Sequence, residues 1–170
     1  MRAWVWNQIK KYTIILILKS SIEGIFAFGG INEDRVAQNN LVVLRVGRRP
    51  LEWKIPETNG ISPPARLNAT LEYLEEINLL VLHGGRSDKR EPFNDIWMMD
   101  LEKFTWLLVK IYDSKPVERS EHCSTIFGNK LIIFGGMGNN SYVRSDIFEI
   151  SLGMFLINVN KFIKLIIYLY

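Results

Sequence analysis

The sequence predicts an all-β fold, built as three four-stranded antiparallel blades of an incomplete, open propeller. Three observations predict it. Glycine pairs begin at positions 29, 84 and 135, and each closes a short apolar run. Several other features keep the same phase as those pairs over intervals of 55 and 51 residues. The 170 residues are rich in Gly, Trp and Phe, with 12, 5 and 9 of each, which suits short strands and many turns.

In chain order, the first unit (about 21–60) has an apolar run at 24–30 ending in Gly29 and Gly30, then a polar stretch at 31–39. A second run at 40–46 and Trp53 follow. The second unit (about 61–113) opens on Pro63 and Arg66. It has runs at 68–73, 78–85 (ending in Gly84 and Gly85) and 94–100, a charged stretch at 86–93 before the last of these, and then Trp106. The third unit (about 114–153) repeats the order with Pro116 and Arg119, a run at 122–127, and a run at 129–136 ending in Gly135 and Gly136. A polar stretch at 137–144 and a run at 145–150 complete it. The third unit has no tryptophan where the register asks for one, near Asn158 and Val159. Ala69 stands where the third unit has His122.

Each unit therefore offers four runs of Ile, Val, Leu, Phe, Trp and Thr separated by Gly, Pro, Asn and Asp. Short connections favour antiparallel hairpins. A sheet of four short strands cannot bury both faces alone and must stack on a neighbour, as propeller blades do. Paired glycines suit strand ends where the backbone turns or approaches a neighbour closely.

On these residues the chain resembles the kelch repeat: an apolar strand ending in Gly-Gly, a later tryptophan, and a period near about 50 residues. The resemblance covers most of the chain, from about Glu23 to Leu152. It implies a repeated four-stranded blade whose loops on one face carry a protein ligand. It also implies a structural histidine at His122. Closed propellers have about 4–8 blades, so three point to a fragment of a longer propeller. The other ways to manage the open edges are several chains completing a ring or another molecule covering them.

The ends differ from the repeats. All 18 acidic residues lie between Glu23 and Glu149. Arg2, Lys10, Lys11 and Lys19 at one end, and Lys161 and Lys164 at the other, have no acidic neighbours. The formal charge of +3 thus belongs to the termini. No basic stripe with interleaved aromatics lies on the repeats, which argues against nucleic-acid binding. The run at 13–18 is far shorter than the ~20 residues of a membrane helix, and 154–170 is broken by Asn158, Asn160, Lys161 and Lys164. Segments 1–20 and 154–170 are read as atypical. The tail at 154–170, and with it 1–20, suggests an error of gene model or frame, while residues 13–18 and 154–159 have the option of pairing as outer strands of the first and third blades.

Chemistry has little support. There is one cysteine, Cys123, read as a small buried strand residue, and no zinc spacing. His83 and His122 are read as structural. Ser120, Glu121 and His122 are sequence neighbours, whereas triad members meet across a fold. No phosphate loop or nucleophile elbow is present, so the expectation is no enzyme activity, no metal and no cofactor.

Arg66 and Arg119 are read as structural forks between blades, and Trp53 and Trp106 as packing between them. The candidate partner-binding residues lie in the loops after the glycine pairs: Asp34 and Arg35; Arg86, Asp88, Lys89, Arg90 and Phe93; Asn140, Tyr142 and Arg144. The expected function is a non-catalytic, cytoplasmic protein-interaction module or scaffold. Two alternatives stand beside it. One is the regulatory portion of an enzyme-linked chain of phosphatase or ubiquitin-ligase adaptor type. The other is a membrane-associated protein using its apolar, basic ends.

Overall fold

The computed structural model describes residues 17–18, 24–46, 50–111, 115–152, 155–159 and 162–166. They form strands β1 (Ile17–Leu18), β2 (Gly24–Phe28), β3 (Leu41–Arg45), β4 (Glu52–Lys54), β5 (Thr70–Leu74), β6 (Leu79–His83), β7 (Ile96–Asp100), β8 (Thr105–Leu108), β9 (Cys123–Phe127), β10 (Lys130–Met137), β11 (Val143–Ser151), β12 (Phe155–Val159) and β13 (Phe162–Ile166). Two single 3-10 turns, Glu75–Ile77 and Asn139–Ser141, are the only helical elements among the described residues. No helix there is long and apolar enough to cross a membrane.

The strands make sheets in the orders β1-β2-β3-β4, β5-β6-β7-β8 and β11-β10-β9, plus a separate β12-β13 hairpin. All pairings within sheets are antiparallel. The architecture is that of stacked blades, and the three sheets do not close into a ring. The all-β architecture of antiparallel blades is as the sequence reading has it, and among the described residues the third sheet contains three strands. The segment reached at the fourth-strand position, β12, pairs with β13 from Phe155↔Ile166 to Val159↔Phe162 instead of with β11.

At the other end, the outer-strand expectation for 13–18 is corrected for its last two residues. Ile17 pairs with Phe26 and Leu18 with Ile25, on the edge of β2 away from β3. β1 therefore holds the place that β5 and β9 hold in their sheets. Residues 13–16 lie outside the described residues.

Two apolar layers hold the blades together. Phe26, Phe28, Leu41 and Val43 of the first sheet pack on Leu71, Leu80, Leu82, Trp97, Met99 and Trp106 of the second. The opposite face of the second sheet, with Leu74, Leu79, Val81, Ile96 and Met98, packs on Leu131, Ile133, Ile150 and Leu152. The middle sheet is thus covered on both sides. Accordingly β6 is buried at every residue and β7 at all but its last. That is why both read as unbroken apolar runs, where a sheet with one wet face would alternate. β9 and β11, with one covered face, do alternate towards exposure. Phe127, Phe134 and Ile147 stand 74%, 53% and 70% exposed on the uncovered face. Cys123 is exposed and free there, which corrects the expectation of a buried cysteine.

Candidate protein-interaction face

The loops after the glycine pairs share one backbone bond at the same place. Asn32 N–H donates to Val36 C=O, Ser87 N–H to Glu91 C=O, and Gly138 N–H to Tyr142 C=O. Inside the first two, Arg35 and Arg90 N–H close onto the carbonyls of Asn32 and Ser87; in the third the second bond is shifted by one residue, from Tyr142 N–H to Asn139 C=O. Arg35, Arg90 and Ser141, at equivalent places, take φ of +61, +66 and +58, a left-handed conformation in which non-glycine residues are uncommon. Short polar side chains brace two of the turns. Asn32 Oδ1 accepts from Val36 N–H at 2.8 Å, and Ser87 Oγ accepts from Lys89 and Glu91 N–H at 3.2 and 3.3 Å.

The Pro-x-x-Arg segments stitch these loops into one ribbon. Gly30 N–H donates to Arg66 C=O while Arg66 N–H donates to Gln38 C=O. One residue on, Leu67 and Arg86 exchange both backbone bonds. The second stitch repeats the first: Gly85 N–H donates to Arg119 C=O, Arg119 N–H to Phe93 C=O, and Ser120 and Met137 exchange bonds. The glycines are required at these crossings. A Cβ on Gly84 would stand 2.6 Å from Arg119 C=O and 2.8 Å from His122 Cε1, and φ there is +61.

Each linker arginine is fully buried and reads three groups. Arg66 donates Nε to Pro64 C=O, Nη1 to Gly84 C=O, and Nη1 and Nη2 to the two Asp95 carboxylate oxygens at 2.6 and 2.8 Å. Arg119 repeats this on Val117, Gly135 and Asp146. Burial raises the Asp95 carboxyl, but the Arg66 bonds and charge and the Trp97 indole N–H outweigh it and hold it below its ordinary range. Hydrogen bonds from Arg119 lower Asp146 in the same direction.

Between the second and third sheets, His83 Nδ1 and His122 Nε2 lie 3.0 Å apart, and His122 Nε2 is 2.9 Å from Thr70 Oγ1. His83 Nε2 and His122 Nδ1 are buried without partners. Burial, then the nearby cationic groups, pushes His83 well below its ordinary value and His122 down to about 4. Both rings are neutral at pH 7. No group of three metal-binding side chains exists among the described residues.

The ribbon leaves Asp34, Arg35, Asp88, Lys89, Arg90, Asn140 and Tyr142 exposed. Three other expected contact residues face inward or sideways. Phe93 is half-buried with the Arg66 guanidinium 4.3 Å from its ring centroid, so it serves the fork. Arg86 pairs with Glu121 at 3.6 Å. Arg144 is half-buried, 5.6 Å from the Tyr142 ring centroid, with Nε buried and unpartnered. Trp106 meets Phe28 of the first sheet edge-on, with ring centroids 5.1 Å apart. Trp53 is half-buried.

The sequence reading missed Asp95, Asp146 and the histidine pair. A signal for the aspartates existed: each stands eleven residues after the first glycine of its pair. The first unit has Asn40 at that place, and no Pro-x-x-Arg precedes it. For the histidines no periodic signal exists, because the residues equivalent to His83 are Phe28 and Phe134.

Comparison with known proteins agrees with this geometry. Residues 16–161 match the KLHDC2/KLHL20/DRC7 Kelch-repeats domain. The chain is 33% identical over 113 residues to dynein regulatory complex subunit 7 of Chlamydomonas reinhardtii, covering 66% of this chain and 10% of that protein. It is 34% identical over 125 residues to human host cell factor 1, covering 65% and 6%. It is 30% identical over 157 residues to human host cell factor 2, covering 78% and 20%. The chain thus spans a fifth or less of the length of these relatives.

Proposed function

The chain belongs to the kelch-repeat β-propeller family, and from that premise we propose that it is a non-catalytic module that holds a protein partner on its glycine-loop face. The observation that carries this reading is the stitched ribbon. Three loops of related backbone geometry are tied side by side, and their exposed side chains include charges of both signs and the aromatic Tyr142. A rigid scaffold bearing variable loops is a common way to build a recognition surface. The blade junctions are meanwhile filled by the arginine forks, the His83–His122 pair and apolar packing. One relative is named as a subunit of the dynein regulatory complex, which fits a place in a multi-protein assembly. Three blades and the small share of each relative that is covered support a role as part of a larger propeller. Cytoplasmic action is part of the proposal, because a lone exposed Cys123 suits a reducing compartment.

The test is comparative affinity capture. Wild-type chain is set against a variant carrying Asp34→Ser, Arg35→Ser, Asp88→Ser, Lys89→Ser, Arg90→Ser and Tyr142→Ser. A second variant changes exposed residues elsewhere, Glu57→Ser and Lys110→Ser. The reading requires a protein retained by the wild type and the second variant but lost from the loop variant, with all three melting alike. A partner held equally by all three ends it.

A further inference from the structure

We propose that the outer corner of the second sheet, where β8 ends, is a second docking site for an acidic segment of a partner protein. One large apolar side chain of that segment enters a cavity beside Trp97 and Leu108, and the carboxylates that follow it lie against Lys110 and Lys115. The cavity there has a volume of about 400 Å³. Its wall includes the buried Trp97, which stands opposite Leu108 across the β7–β8 pair. Val109 and Ile111 extend the apolar lining, and the exposed Lys110 and Lys115 complete it.

The surroundings choose the occupant. Both stacking faces of the second sheet are already taken, by the first and third sheets. A cavity at its β8 border is therefore not a seat for another blade. The corner is also open, with Leu108 52% exposed and the adjacent Leu107 44%. A small-molecule site buries most of its ligand, whereas an open corner suits a side chain presented on a partner's backbone. The free charge has one sign. The carboxylate in the lining, Asp95, is held by Arg66 and by the Trp97 indole N–H. Among the described residues no ion pair reaches Lys110 or Lys115. Two such lysines beside an apolar wall attract carboxylates and repel a basic segment. The repeat does not require this corner. In the first unit the places of Trp97, Leu108, Lys110 and Lys115 are held by Val42, Ile55, Glu57 and Ser62. The apolar pair is kept there and the lysines are not.

The probe is a fluorescein-labelled peptide, Gly-Ser-Phe-Glu-Glu-Ser-Gly, added to the full chain at low salt. Anisotropy is expected to rise to saturation. The Trp97 indole N–H resonance is expected to move while that of Trp53 stays. Gln-Gln in place of Glu-Glu, or Ala in place of Phe, weakens binding about tenfold. Leu108→Ser gives a similar loss with unchanged melting, because the side chain is half exposed. Lys110→Glu combined with Lys115→Glu abolishes binding and creates binding of Gly-Ser-Phe-Lys-Lys-Ser-Gly, a gain that damage to the fold would not produce. No saturation at millimolar peptide overturns the proposal. Equal binding of the Gln or Ala peptide does so too, as does a charge-reversed chain that fails to exchange one peptide for the other. Two further results overturn it by assigning the corner elsewhere. A Trp97 signal that moves with chain concentration alone marks a second copy, and equal binding of free phenylpropionate marks a small-molecule site. The loop variant described above leaves peptide binding unchanged, and the Glu57→Ser, Lys110→Ser variant weakens it while keeping the loop partner, so the two surfaces fail independently.

Discussion

Arg66 holds both carboxylate oxygens of Asp95, at 2.6 and 2.8 Å, while its Nη1 also donates to Gly84 C=O at 2.9 Å. One guanidinium thereby ties a linker, a glycine turn and the entry to β7. The Arg66 side chain is 0% exposed and that of Asp95 20%. Removing one member leaves an uncompensated buried charge. Arg66→Met is expected to cost about 3–5 kcal/mol, measured by urea unfolding. Arg119→Met costs less, because Asp146 is 44% exposed and water solvates the orphaned carboxylate. Equal losses from the two changes would show that the forks act as local packing rather than as buried ion pairs.

The two tryptophans should differ in the same manner. Trp106 is 3% exposed and meets Phe28 across the blade junction, so Trp106→Ala is expected to lose about 3–5 kcal/mol. Trp53 is half-buried, and Trp53→Ala loses less than half of that. Thermal unfolding of the two variants side by side settles the order.

Acid should loosen the junction of the second and third blades well above the carboxylate range. His83 and His122 have pKa values lowered on folding, His122 to about 4. Between that value and the ordinary 6.5, the unfolded chain binds protons that the folded chain refuses. Their contribution is complete above about pH 6.5 and declines as pH falls, by about 1.4 kcal/mol per pH unit for each histidine. Asp95 and Asp146, lowered by their arginines, add to the loss below their ordinary value of 3.8. Urea midpoints at pH 7, 6 and 5 should fall steadily. His83→Phe, which installs the residue found at the equivalent place in the other two blades, should flatten the slope by one proton. A midpoint independent of pH in the wild type would refute the assignment.

Gly84→Ala meets two penalties together, a left-handed φ and a Cβ 2.6 Å from a fixed carbonyl. A loss of at least about 2 kcal/mol is expected. Gly128→Ala is the control. Its φ is +57 but nothing lies within 4 Å of the added Cβ, so only the conformational part is lost. The difference between the two variants, read from melting temperatures, measures the closeness of the stitch.

The repeat was legible because its cause is periodic. Glycine pairs, apolar runs, tryptophans and Pro-x-x-Arg recur wherever the same crossing recurs, so position alone reveals them. Phe93 shows the limit. Beside Arg86, Asp88, Lys89 and Arg90 it reads as an aromatic anchor in a charged loop, yet it lies under Arg66, a residue 27 positions earlier. Cys123 shows a second limit. Strand periodicity gives the two faces of β9 but does not say which face a neighbour covers.

The sequence alone determined the blades: roughly where the inner strands run, where each glycine turn falls, and that the chain holds three repeats of one kind. Their physical origin is local, in strand period, turn chemistry and backbone freedom. Only the tertiary structure decided what the units share. It paired Arg66 with Asp95 and Arg119 with Asp146, set His83 against His122, and turned Phe127, Phe134 and Ile147 to the uncovered face. It also paired β12 with β13, so that among the described residues the third sheet has three strands. These outcomes depend on which surface meets which after the blades stack. That contact is made between residues tens of positions apart, and no local pattern encodes it.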